Sequence, residues 1–468
     1  MKSEEDFILN NYNSHNFGEN DYLITTEHGS WALLSKGEYM KMRHNDLKNE
    51  KELKEFLEEK GVLLNTDNVQ KVVRDYFNRK QFLFQGPSLH ILTPTLKCNQ
   101  RCLYCHSGAK GKNSANKFEM NLSTAKQIVD FALQTPSPKL RFEFQGGEPL
   151  LNFSVIEKTI GYAKKRGKEK GKDVDFSLVT NLTNLDERKA EVLKKNNVHI
   201  STSLDGPKDI HDHNRKFLGG ESSYKKLVER IEFARSRGLK LNALCTVTQK
   251  SLQSGEEIVD EYIELGFDKV WLRPLNKIGF AKEEWKKIGY TSEEFVNFYK
   301  ETLDHILKEG KEITELMALI FSKKILGPKD PVMTEIMSPC GAGISQLLYN
   351  HKGEIFTCDE GKVFEEFKLG DVRRSEWKDV IKNDTFISMV DVSSKENFLC
   401  QNCEWNPYCG ICPVGSYSEQ GSIVTKLAQD RRCRTYSQII ENIFERLLFS
   451  KKQRKVLTKW VENDEVFE

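Results

Sequence analysis

Between residues 88 and about 276, short runs rich in β-branched and aromatic residues alternate with longer amphipathic stretches. The runs "SLHILTP", "LRFEFQ", "VDFSLVT", "VHISTSL", "KLNALCTV" and "KVWLRPL" read as strands. Between them, "STAKQIVDFALQT", "FSVIEKTIGYAKKRGKEK" and "SYKKLVERIEFARSRG" space their apolar residues as helices do. Strands alternating with helices at this interval predict a parallel sheet of βα units. Six units fit an α/β fold, a partial (β/α)6 TIM-type barrel open on one side, in which chemistry sits at the C-terminal ends of the strands.

The flanks differ in pattern. Residues 1–80 read as a small α+β, winged-helix-like module. "DYLITT" and "SWALL" flank the turn "EHG" as a hairpin, and Ser35 with Glu38 has capping-box spacing. A second helix, "NEKELKEFLEEK", ends at Gly61, and "VLLN" returns as a strand. Such a module suits peptide recognition or packing on the next domain. Residues 277–335 look helical and form a bridge. Residues 336–434 are loop-rich, with few periodic runs, and a region of that kind needs metal to hold it. From residue 435 to 468 the tail, including "SQIIENIFERLLFSKKQRKVLTKWVEN", reads as one amphipathic helix with a basic end.

The totals narrow the function classes. A chain of 468 residues exceeds one ordinary core, so several domains are expected. Lys and Arg number 71 against 69 Asp and Glu, a formal charge of +2, which gives no strong field for nucleic acid or an anionic membrane. The start "MKSEEDFILNNYN" lacks the apolar segment of a signal peptide, and no apolar run approaches the roughly 18 residues of a spanning helix. A cytoplasmic protein is expected. There, eleven cysteines are better read as metal ligands than as disulfides.

Their placement is the most specific signal. Three lie in "CNQRCLYC", Cys98 to Cys105, with three and then two residues in the gaps, directly after the first barrel strand. Zinc sites generally add a second pair or histidines, and no such partner follows closely here. This spacing resembles the radical S-adenosylmethionine (SAM) enzymes. The resemblance implies that Cys98, Cys102 and Cys105 hold a [4Fe–4S] cluster whose fourth iron takes SAM, with Tyr104 near the adenine. It also gives roles to the loops that follow. After the second strand, "GGEPL" offers Gly146 and Gly147, which let backbone approach a ligand, and Glu148, a carboxylate for the methionyl amine. After the third, Thr180 and Asn181 occupy ribose-contact positions. After the fourth, "SLDGPKDIHDHNR" resembles peptide-modifying members and makes Ser203, Asp205 and Arg215 cofactor-site residues, with the Arg215 fork suited to the SAM carboxylate. Taken singly, each of these polar residues also reads as a cap or a surface group.

Seven cysteines lie further on: Cys340, Cys358, Cys400, Cys403, Cys409, Cys412 and Cys433. They resemble the signature of SPASM domains, the auxiliary-cluster extensions of peptide and protein maturases. The last gap of "CQNCEWNPYCGIC" is one residue short of the family's habit. The seventeen residues between Cys340 and Cys358 are slightly many, and Thr357 stands where a glycine is common. By resemblance Cys400, Cys403, Cys409 and Cys433 complete one [4Fe–4S] cluster, and Cys340, Cys358 and Cys412 hold a second that lacks its eighth ligand, for a total of three clusters. Cys245, in an apolar strand, is a poor eighth. Two zinc sites or a zinc ribbon are the competing reading.

The resemblance implies a radical SAM oxidoreductase that cleaves SAM to a 5′-deoxyadenosyl radical and matures a ribosomally made peptide (RiPP) or protein substrate carrying a leader segment. It further implies a reductant such as ferredoxin or flavodoxin. "GPSLHILTPTLKCNQRCLYC" with "NPYCGICPV" looks closest to the maturases of the His-Xaa-Ser peptide system, which work beside a second radical SAM protein. Asp359, after Cys358, matches the position of an acid proposed as a base in sulfatase-maturing relatives, with a surface aspartate as its plain alternative. The other readings are an anaerobic sulfatase maturase that forms formylglycine and a non-catalytic iron–sulfur or zinc scaffold.

Overall fold

The computed structural model describes residues 7–331 and 333–464. Residues 1–6 of the N-terminal module, residue 332 of the bridge and residues 465–468 of the C-terminal tail lie outside the described residues.

The predicted barrel strands form Leu89–Leu92, Lys139–Phe144, Asp173–Thr180, His199–Ser203, Leu241–Thr246 and Leu272–Arg273, each hydrogen-bonded in parallel to the next. "KVWLRPL" is broken at Trp271. Its first half, Lys269–Val270, pairs instead with Thr314–Glu315 in a separate two-stranded sheet.

The sheet does not end at Leu89–Leu92. Gln346–Tyr349 adds to it in parallel, with Gln346 opposite Leu89, and Glu354–Phe356 and Lys368–Asp371 follow antiparallel, giving nine strands. The cysteine-rich region was expected to be loop-rich, yet it contributes three strands to the barrel sheet. The reason is legible in "QLLY": all four residues are buried, the mark of a strand covered on both faces. The first and last strands of the sheet are not paired with each other among the described residues, so the barrel stays open.

Helices cover the outer face. Phe153–Lys170 buries Phe153, Ile156, Ile160 and Ala163 along one stripe and stops at Gly171, whose φ of 64° is the left-handed cap that glycine accepts without strain. Each large side chain so buried contributes about 1.5–3 kcal/mol, and truncating Ile156 to Ala would cost about 2–5 kcal/mol. Leu122–Ala132 begins at Asn121, whose side chain accepts the Thr124 N–H.

In the N-terminal module the hairpin Asp21–Thr26 and Trp31–Ser35 gains a third strand, Tyr12–Asn16, that the pattern did not announce. Ser35 and Glu38 form the capping box of Lys36–Arg43. A further helix, Val69–Lys80, fills a stretch left unassigned. The module is held on the body by several contacts. Asn13 donates to the carbonyls of Gln401 and Cys403, the Thr25 hydroxyl to that of Glu404, and the Trp31 indole N–H to that of Ile325. Arg79, buried, pairs with Asp330 at 3.1 Å.

The tail is two helices rather than one. Arg431–Phe449 ends at Ser450, whose extended backbone (φ −127°, ψ 102°) breaks the helix and whose side chain accepts the Gln453 N–H to start Lys451–Glu462. A serine that can bond nearby backbone competes with helix continuation, which is why the periodicity alone misled. No helix among the described residues is long and apolar enough to cross a membrane.

Candidate active site

The C-terminal ends of the barrel strands open into a cavity of about 720 Å³. Its wall includes Cys98, Cys102, Tyr104 and Cys105 from the loop after the first strand, Gly146 and Gly147 after the second, Thr180 and Asn181 at the end of the third, and Ser203 and Arg215 from the fourth unit. Cys340, Cys358, Asp359, Glu360 and Cys412 line the same space. Residues more than 300 positions apart thus meet at one void, within the usual size of a small-ligand site.

The cysteine loop is pinned at both ends. Lys97–Cys98 pairs with Lys110–Gly111, and Gln100–Cys102 pairs antiparallel with Arg215–Phe217, so that Arg215 lies opposite Cys102. The glycines of "GGEP" fit beneath this loop. A Cβ on Gly147 would stand 2.2 Å from the Lys97 carbonyl oxygen, and Gly146 holds a φ of 138° against Thr93 and Thr95. The close approach the glycines permit is therefore to the cysteine loop itself, besides any ligand.

Glu148 does not line the cavity. Its carboxylate is fully buried and accepts the N–H groups of Leu150 and Asn181 and the Thr180 hydroxyl, at 2.7 to 2.9 Å. Burial, only partly offset by these bonds, raises its carboxyl to about 6. These bonds tie the "GGEP" turn to the loop after the third strand. Asp205 is likewise buried and inward. It accepts from Tyr104, Asn214, Arg215 and the Thr246 N–H. Arg215 is fixed by that carboxylate at 3.1 Å, lies over the Tyr104 ring at 5.0 Å, and extends Nη1 to 3.8 Å from the Cys102 Sγ. Both acids act on the wall residues from behind.

Pattern reading missed Asn99. Its side chain accepts from Asn181 Nδ2 and donates to the Thr183 hydroxyl, each at 2.8 Å, bracing the cysteine loop against the third strand. Only its place beside Cys98 hinted at this. His106 was also missed; its Nε2 lies 2.9 Å from Asp359 Oδ2, linking the first thiol loop to the distal region. Lys362 pairs with Asp359 from the other side. Burial pushes the Asp359 carboxyl up, but Lys362 and His106 prevail and hold it well below the usual carboxylate range.

The distal thiols fall into two groups. Cys340, Cys358 and Cys412 face the cavity, whereas Cys400, Cys403, Cys409 and Cys433 do not line it. Within the second set the thiols act on one another: burial, and after it neighbouring thiols and Asp430, push Cys403, Cys409 and Cys433 each up to about 12. Burial lifts Cys102 to about 12, and Cys98 and Cys358 further. Buried thiols of this kind keep their protons unless a positive centre displaces them. Backbone is already arranged for sulfur charge: Cys98 accepts the Gln100 N–H at 3.4 Å, and Cys358 and Cys412 accept those of Gly361 and Gly415 at 3.3 Å. Among the described residues, no three His, Cys, Asp or Glu side chains converge on one ion-sized point. Thiols spread along a wall with N–H groups on their sulfurs fit iron–sulfur clusters better than tetrahedral zinc.

Comparisons with known proteins agree. The chain is 26% identical over 370 residues to a cysteine-type anaerobic sulfatase-maturating enzyme of Clostridium perfringens, spanning 77% of this chain and 97% of the relative. It is 20% identical to the radical SAM cyclopropyl synthase TigE of Paramaledivibacter caminithermalis, over 92% of this chain and 88% of TigE. Among solved structures, anSMEcpe with bound AdoMet superposes with a TM-score of 0.69 at 23% identity, covering 80% of this chain and 98% of that one. SuiB of Streptococcus suis bound to precursor peptide SuiA gives 0.56 at 15%, covering 91% and 99%. Residues 92–262, which hold the first thiol set and the strands behind it, match the Radical SAM superfamily.

Proposed function

We propose that this enzyme matures a peptide or protein substrate by hydrogen-atom abstraction. The observation that carries the reading is that one cavity is lined both by Cys98, Cys102 and Cys105 and by Cys340, Cys358 and Cys412. Cys98, Cys102 and Cys105 would hold a [4Fe–4S] cluster, which when bound would supply the reducing electron for SAM cleavage. The chain's own groups place and shield that chemistry. Gly146 and Gly147 present backbone, Asn181 and Ser203 present polar side chains, Tyr104 presents its ring and Arg215 its fork. Glu148 and Asp205 hold these groups in position, so geometry is fixed before SAM arrives. In this reading Cys340, Cys358 and Cys412 hold one auxiliary cluster and Cys400, Cys403, Cys409 and Cys433 another, for three in all.

A peptide substrate is supported by the relatives. SuiB is solved with its precursor peptide, and anSMEcpe with the Cp18Cys peptide. The N-terminal module, docked on the Gln401–Glu404 loop, supplies a place for a leader segment. The resemblance to the His-Xaa-Ser maturases narrows the substrate to a ribosomally made peptide, with a second radical SAM protein and a cytoplasmic reductant such as ferredoxin or flavodoxin as partners. Asp359 is the group we assign as base. A second reading, formylglycine formation on a sulfatase, is favoured by the near-complete span of the Clostridium perfringens relative.

The test is anaerobic reconstitution and dithionite reduction with SAM. Formation of 5′-deoxyadenosine supports the reading, and its absence from fully iron-loaded protein, with peptide present, sinks it. A cysteine-containing sulfatase peptide and a precursor peptide encoded beside this gene, compared by mass spectrometry, separate the two substrates.

A further inference from the structure

We propose that the Glu360 carboxylate is the fourth protein ligand of the auxiliary cluster held by Cys340, Cys358 and Cys412. The proposal rests on the auxiliary-cluster reading above and supplies the ligand that the cysteine count lacks.

Glu360 lies two residues beyond Cys358, in the turn that brings the Gly361 N–H to the Cys358 sulfur. Its Oε2 is 3.8 Å from the Cys412 Sγ, and it lines the cavity together with all three thiols. A carboxylate among three sulfurs is repulsive unless positive charge stands between them. Arg432 supplies part of it, with Nη2 at 2.9 and 3.2 Å from the two carboxylate oxygens, while Nη1 of the same buried guanidinium reaches Glu335 at 3.7 Å. Iron on the open side of the carboxylate would supply the rest, and carboxylate oxygen is a competent ligand for it.

The neighbouring acids are committed elsewhere. Asp359 is turned to His106 and Lys362, and Glu335 to Arg273 and Arg432. Asn276 donates to the other oxygen of Glu360 and so sets the carboxylate plane, as groups behind a metal ligand do. A closed corner has a consequence for function. A substrate side chain would meet this cluster across space, not by ligating its iron.

The experiment uses the full chain with Cys98, Cys102 and Cys105 changed to Ala, reconstituted anaerobically so that only auxiliary clusters report. Iron per chain is taken by Mössbauer spectroscopy, and access to an iron by 13C-cyanide coupling in electron–nuclear double resonance. The parent is expected to show no cyanide coupling, Glu360→Gln to gain it or to fail to assemble the cluster, and Glu360→Cys to restore a full, cyanide-silent cluster. Cyanide coupling in the parent equal to that of E360Q overturns the assignment, because the corner is then open. Silence and full iron in E360Q overturn it too, since another group then closes the corner. An E360C that fails to rescue a lost cluster also counts against it. Changing Cys340 and Cys358 to Ala should remove about four irons per chain; if it removes none, the auxiliary-cluster reading itself falls, and the ligand assignment with it.

Discussion

The Arg215 guanidinium and the Asp205 carboxylate meet at 3.1 Å in a place where Asp205 is fully buried. Asp205 also takes the Tyr104 hydroxyl and the Thr246 N–H, so one carboxylate sets the ring, the fork and the next strand. Asp205→Asn keeps the shape and removes the charge, leaving a buried cation without its counterion. Breaking a buried pair in this way costs about 3–5 kcal/mol. Urea unfolding of the variant should show a loss of that size, and its affinity for SAM should fall because Arg215 is no longer held. An unchanged unfolding midpoint would show that Arg215 does not depend on this partner.

Gly147→Ala tests the contact between the "GGEP" turn and the cysteine loop. The added Cβ would lie 2.2 Å from the Lys97 carbonyl oxygen and 2.7 Å from the Leu96 backbone, which only a shift of the loop can relieve. Overpacking of this kind costs about 1–3 kcal/mol, and here the strain falls on Cys98. Iron per chain should drop by about four while the distal sites stay loaded. If G147A keeps its full iron and its SAM cleavage, the glycine is not needed for this approach.

The Glu148 carboxyl carries a pH signature. Its folded value of about 6 lies above the ordinary 4.5, with burial as the main cause. An acid raised on folding favours the native state in its protonated form, so its contribution is fully present below the unfolded value. It is lost as pH rises through the folded one. The expected loss is about 2 kcal/mol between pH 4.5 and pH 7, relative to Glu148→Gln, which has no such titration. Unfolding free energies of both proteins across that window, measured without SAM, check the slope. A difference that does not change with pH would contradict the raised value.

What could be read in advance divides by physical cause. The six barrel strands announced themselves because short runs rich in β-branched and aromatic residues recur between amphipathic helices, and the three thiols of "CNQRCLYC" because their spacing is local. "QLLY" carried the same kind of signal in four residues, too few to stand out, so the extension of the sheet into the cysteine-rich region was missed. The inward turn of Glu148 and Asp205 had no sequence mark at all. Glu148 draws Thr180 and Asn181 from the third unit and Asp205 draws Thr246 from the fifth, and only the folded barrel brings them together. Asn99, His106 and Glu360 were hidden for the same reason, each adjacent in sequence to a residue already singled out but given its partner by the fold.

Asp359 is the group for which position and electrostatics make the most separable claims. Lys362 and His106 hold it well below the usual carboxylate range, so it stands as a free carboxylate, and the same neighbours weaken it as a base. Asp359→Asn should leave iron loading, SAM binding and substrate-free SAM cleavage near the parent level. Peptide modification should fall by about 10²- to 10⁴-fold, the usual share of a general base. Lys362→Met supplies the second readout. With the largest lowering influence gone, the carboxyl rises, and an acid limb absent from the parent should enter the pH–rate profile of modification. A purely structural aspartate would move stability and leave that profile flat. D359N protein that modifies peptide at the parent rate would remove Asp359 from the chemistry and leave its pairing with His106 as a strut between the two thiol loops.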